Sequence, residues 1–126
     1  MRAPCSRELH PAAPVLPISL AVMDESPRTG PHLSLVDTGA DGTFVPVALL
    51  EELSVPMVYL ITVRSHLGER SQQVAVHRVD IVFDSIRLPG IDVVSDDWGD
   101  QIILGRNVLN RLHIMLEGSA GVTTVD

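Results

Sequence analysis

Apolar residues in this chain recur with a period of two, at Leu16, Ile18, Leu20 and Val22, and again at Met57, Tyr59, Ile61 and Val63. Successive side chains of an extended strand point to opposite faces, so such runs specify half-buried β-strands. They are short, and segments such as DESPRTGP that separate them read as turns. Helical spacing occurs twice: at Leu49, Leu50 and Leu53 behind Pro46, a residue suited to a first helical turn, and at Val108, Leu109 and Leu112 after Gly105, where Asn107 is a candidate cap. The expected fold is all-β, a closed barrel or orthogonal sandwich with one or two short helices.

A chain of 126 residues is one domain long and buries roughly two-thirds of its unfolded surface. Aromatic residues make up 3% of it, so Val, Leu and Ile must build the core. Residues 1–14 carry Pro4, Pro11 and Pro14 without periodicity, which predicts a poorly ordered arm before a domain over 15–126. Pro17 hints that the first strand lies at an edge or is just starting. MVYLITVR and VAVHRVDIVF, interrupted by SHLGERSQ, read as a long hairpin with its tip near Gly68. In its second strand the apolar phase changes, from Val74 and Val76 to Val79, Ile81 and Phe83, as a bulge or a passage between sheets would require. SIRL, IDVVS and QIIL suggest further strands, with turns at Pro89-Gly90 and around Gly99, and HIMLE and VTTV suggest a closing hairpin.

Nine arginines and no lysine stand against sixteen acids, a net charge of −7. That balance gives no footing for a sequence-independent grip on nucleic-acid phosphates, and without lysine there is no Schiff-base or P-loop chemistry. Cys5 is the only thiol, so it forms neither an internal disulfide nor a zinc site, and a free thiol fits a reducing compartment. MRAPCSRELHP lacks an apolar signal core and VLPISLAVM is too short and too Pro-broken to span a bilayer, so the expectation is a soluble, cytoplasmic protein without membrane partners. The five histidines show no metal-ligand spacing; neither metal nor cofactor is expected.

The segment LVDTGADGTF places Asp37 directly after a buried-looking strand. Burial resists a carboxylate's charge unless neighbours donate hydrogen bonds, and Thr38 and Gly39 are able to. An Asx-type turn without chemistry would use the same residues. A second apolar strand, IILGRNVL, stops abruptly at Gly105 and feeds a helix. In this order, LVDTGADGTFVP and IILGRNVLNRL resemble the retropepsin-like (retroviral-type) aspartic proteases, including their bacterial single-domain relatives, over residues 33–117.

The resemblance implies a closed acid-protease-type β-barrel with one lobe per chain, acting as a homodimer on a peptide or protein substrate. It implies that Asp37 is the catalytic aspartate, that Thr38 bonds its counterpart across the interface, and that Gly39 accepts substrate main chain. Ala40, Asp41, Gly42, Gly68 and Ile103 would bind substrate, Gly68 from the tip of a covering flap, and Asp41 would form a structural ion pair with Arg106 near the interface. The chain departs from the family in a flap with a lone glycine among His66, Glu69 and Arg70, and in a full hairpin after the second helix. SDDWGDQ resembles the cleft wall in position; its acids and Trp98 suit basic peptide segments or a solvated turn.

Elementary chemistry leads to the same assembly. Peptide hydrolysis without metal, thiol or serine triad needs one carboxylate to activate water and another acid to protonate the product. One Asp-Thr-Gly per chain meets that need only when two chains meet, and the expected rate profile is bell-shaped and acid-leaning. The competing readings are a catalytically idle dimeric peptide-binding module of the same fold, and a structural β domain of a larger assembly.

Overall fold

The computed structural model describes residues 1–64 and 71–126. Six strands close into a mixed barrel: β2 (Val15–Ala21), β3 (Thr29–Val36), β4 (Thr43–Pro46), β6 (Ser71–Phe83), β7 (Ile86–Asp96) and β8 (Ile102–Leu104). Their order is β2-β3-β8-β4-β7-β6, and β2 closes the ring by pairing its far end, Ser19–Ala21, with Asp80–Val82 of β6. Strand β5 (Met57–Arg64) pairs antiparallel with β6 outside the ring. A separate three-stranded sheet joins β1 (Arg2–Pro4), β10 (Val122–Val125) and β9 (Ile114–Glu117).

Aliphatic side chains fill the barrel, as the scarcity of aromatics requires. Leu16, Ile18 and Leu20 of β2 are fully buried with Ile81, Leu104 and the single large ring, Phe83. Helix α1 (Val47–Leu53) starts at Pro46, whose fixed φ suits that place, buries Leu50 and Leu53, and ends on Ser54 in the left-handed region. Pro17 lies near the start of β2, a strand paired with β3 inside the barrel.

The phase change in β6 is a bulge. Its register with β7 shifts between Val79 and Ile81, which turns the buried Asp80 inward. Asp80 accepts hydrogen bonds from the Gly90 amide at 2.9 Å and the Arg87 Nε at 2.8 Å. Burial alone would raise its pKa, but these donors outweigh burial and hold it below the usual carboxylate range. Gly90 is consequently no chain reversal. Ile86–Leu88 and the IDVVS segment form one continuous strand, β7, and the Pro89-Gly90 turn read from sequence is a kink within it, with Gly90 at φ +62°.

Two further expectations differ from the structure. Arg2–Pro4, within the arm read as poorly ordered, forms β1, because its partner Val122–Thr124 lies at the other end of the chain. Helix α2 (Arg106–Leu109) is capped by Gly105, and Asn107 sits inside it with its side chain committed elsewhere.

Candidate active site

Strands β3 and β8 run parallel, with Leu35 beside Ile103 and Val36 beside Leu104. Both end at the same level, so the segments that follow, Asp37–Gly42 and Gly105–Asn107, lie side by side although more than sixty residues separate them in sequence. The Asp37 amide donates to the Leu104 carbonyl at 3.0 Å, and the Arg106 amide donates to the Ala40 carbonyl at 2.8 Å. The Arg106 guanidinium holds the same loop twice, through the Thr38 carbonyl at 2.8 Å and an ion pair with Asp41. That pair is exposed in the single chain, with 92% of the Asp41 side chain open, so removing Arg106 strands no buried charge.

Gly105 is where the two segments touch. A Cβ built there would lie 2.5 Å from the Gly42 carbonyl carbon and 3.0 Å from the Ala40 oxygen, and closer still to the Gly42 oxygen. The Gly105 amide donates to Thr43 Oγ1 at 3.1 Å; Thr43 donates to Asn107 Oδ1 at 2.7 Å; Asn107 Nδ2 donates to the Asp92 carbonyl at 2.9 Å. This polar chain fastens the loop to α2 and to β7.

Asp37 itself is half-buried, at the point where β3 gives way to a turn. Its Oδ1 accepts the Gly39 amide at 2.9 Å, the geometry of an Asx turn. Among the described residues its other oxygen has no hydrogen-bond partner, and no cation pairs with it. Thr38 and Gly39 are exposed.

A cleft of about 730 Å³ opens beside this turn, walled on one side by Gly39–Gly42 and on the other by Tyr59, Ile61 and Val63 of β5. The period of two in β5 therefore lines a cleft as well as a sheet face. A second cavity of about 290 Å³ shares Phe44, Val63, Arg64 and Val94 with it and ends at Asp96–Trp98. Asp96 there accepts the Trp98 and Gly99 amides, both at 3.0 Å, and Trp98 projects 90% exposed. Of the residues singled out from sequence, Gly39, Ala40, Asp41 and Gly42 line the cleft. Ile103 lies in β8 between Leu35 and Phe44 and is not among the cleft's lining residues. Gly68, His66, Glu69 and Arg70 lie outside the described residues.

Sequence reading missed one cluster. Tyr59 donates its hydroxyl to Asp92 Oδ2 at 2.7 Å, and Arg78 Nε donates to Asp92 Oδ1 at 2.7 Å. The Asp92 carboxylate, as acceptor, holds the Tyr59 phenol above its ordinary range, and Arg78 holds Asp92 below the usual carboxylate range. The three residues come from three strands, and no local pattern links them.

No family model matches the sequence, and no curated protein matches it. Solved structures do. A retropepsin-like aspartic protease from Rickettsia conorii is 14% identical, with a TM-score of 0.69 over 99% of this chain and 88% of that one. The retroviral protease-like domain of Ddi1 from Leishmania major is 15% identical, with a TM-score of 0.59 over 90% and 88%. The simian foamy virus (mac) protease is 18% identical, with a TM-score of 0.56 over 76% and 91%.

Proposed function

We propose that this chain, whose fold is that of the retropepsin-like proteases, is an aspartic endopeptidase that works as a homodimer with one Asp37 from each subunit. The observation that carries the reading is Asp37 itself. It follows barrel strand β3, is fixed by its own turn, has no cation to neutralise it among the described residues, and lies in the turn whose Gly39 begins one wall of a cleft of about 730 Å³. In the dimer the two carboxylates share one proton. The ionised Asp37 takes a proton from water as the water oxygen attacks the scissile carbonyl carbon; the protonated one supplies the proton that the departing nitrogen requires. In this reading Thr38, exposed beside it, bonds its counterpart across the two-fold axis, and Gly39, also exposed, meets the substrate main chain.

The test is hydrolysis of denatured casein by the purified chain and by Asp37→Asn, with thermal unfolding measured in parallel. The variant keeps the fold and loses turnover, because an amide cannot exchange the proton. Wild-type specific activity falls on dilution below the dimer dissociation constant, and excess Asp37→Asn chains suppress it by forming mixed dimers. Turnover retained by Asp37→Asn, or a fully active monomer, would overturn the reading.

A further inference from the structure

We propose, resting on the reading that this cleft binds peptide, that Tyr59 is a positioning residue whose hydroxyl ties β5 to the loop carrying Asp37 and so fixes the far wall of the cleft. Strand β5 needs such a tie. Among the described residues it pairs only with β6, and Met57–Leu60 are all exposed, so core packing does little to hold it.

The tie crosses β6. Tyr59 stands opposite Val76, Val76 opposite Val94, and Arg78 opposite Asp92, which puts the phenol, the guanidinium and the carboxylate on the cleft face of three adjacent strands. Both Asp92 oxygens are engaged, one by Tyr59 and one by Arg78, each at 2.7 Å. A hydrogen bond to an ionised acceptor is about twice as strong as a neutral one. From Asp92 the path runs through its carbonyl to Asn107, on to Thr43 and to the Gly105 amide, and the neighbouring Arg106 amide holds Ala40. Each link is a hydrogen bond of 3.1 Å or less. The wall made by Tyr59, Ile61 and Val63 is thus set relative to the wall made by Gly39–Gly42 before any peptide arrives. Without the hydroxyl, part of the binding energy goes into ordering β5, which weakens binding and leaves the chemical step alone.

The experiment compares wild type, Tyr59→Phe, Asp92→Ala and the double variant, as full chains at one protomer concentration. Amide hydrogen exchange in Val58–Val63 should quicken about tenfold in each single variant, since each loses the hydrogen bond that ties β5. The double variant should exchange no faster than Asp92→Ala, because the two substitutions break one tie. Arg28→Ala, which removes the exposed pair with Glu25, should leave β5 unchanged. On oxidised insulin B chain, Tyr59→Phe should raise KM about tenfold with kcat within about twofold. Exchange in β5 of Tyr59→Phe equal to wild type, or a fall in kcat at unchanged KM, would overturn the proposal. A wild type that cleaves nothing while the exchange pattern holds would refute the protease reading and leave the tie standing.

Discussion

Gly105→Ala sets two physical arguments against each other. Gly105 has φ −92° and ψ −176°, extended backbone that any residue adopts. Chain entropy alone therefore predicts stabilisation by about 0.4–1 kcal/mol, since alanine restricts the unfolded chain more than glycine does. Packing predicts the reverse. The new Cβ meets the Gly42 carbonyl carbon at 2.5 Å where ordinary contact begins near 3.4 Å, and every atom it meets belongs to backbone that cannot rotate away. Relief requires the Ala40–Gly42 loop to retreat by about 1 Å, which breaks or stretches the 2.8 Å bond from the Arg106 amide and the 3.1 Å bond to Thr43. Overpacking costs about 1–3 kcal/mol and a lost hydrogen bond about 1 kcal/mol, so the net loss is near 3 kcal/mol, or roughly 10 °C in Tm. Urea unfolding should be followed by far-UV circular dichroism at fixed protomer concentration, because Trp98 is already 90% exposed and reports little on unfolding. Gly118→Ala is the control, having nothing within 4 Å of its added Cβ. A Gly105→Ala protein as stable as wild type, or more so, would refute the close approach of the two loops.

Arg106→Ala should cost no more than about 1 kcal/mol in the dilute single chain, since its pair with Asp41 is exposed, yet it should weaken dimer and turnover by freeing the Asp37–Gly42 loop; a stability loss above about 3 kcal/mol in the monomer would contradict that. Asp80→Asn should lower stability by about 2 kcal/mol at pH 7. The folded pKa of Asp80 lies below its unfolded value, so its contribution is complete above about pH 4 and fades as pH falls through the folded pKa, and acid titration of urea midpoints should show the two proteins converging. Deleting residues 1–4 removes β1 and uncovers Thr123 and Val125, both fully buried, and should lower stability by roughly 2 kcal/mol; an unchanged melt would mean that β1 contributes nothing.

What could be read in the sequence was whatever a short window contains. The alternation from Leu16 to Val22 and from Met57 to Val63 gave β2 and β5, and Pro46 before Leu49-Leu50-Leu53 gave α1. The phase slip after Val76 signalled the bulge, although Gly90 was misread as a turn because its role depends on Asp80 across the sheet. Asn107 resembled a cap by position, but its side chain answers to Thr43 and Asp92. Arg2–Pro4 carries no period long enough to detect and becomes a strand only beside Val122–Thr124. The candidate site divides the same way. Asp37 and Arg106 announce themselves in two motifs, whereas Tyr59, Arg78 and Asp92 meet only after three strands have paired.

The way the Asp37 loop is held bears on the proposed dimer. Leu104 and Arg106 fasten it through four contacts, to the Asp37 amide, the Thr38 and Ala40 carbonyls and the Asp41 carboxylate. All four fix backbone position or engage Asp41, and none engages the Asp37 carboxylate, whose one bond comes from its own turn. Asp41, the nearest acid in sequence, is paired with Arg106. Among the described residues no second acid meets the Asp37 carboxylate, and the proposed reaction requires one. In the proposed dimer, two loops already held by these contacts could bring their carboxylates to a shared proton without first being ordered. One proton between the two Asp37 residues of that dimer would leave the pair with a single negative charge in place of two.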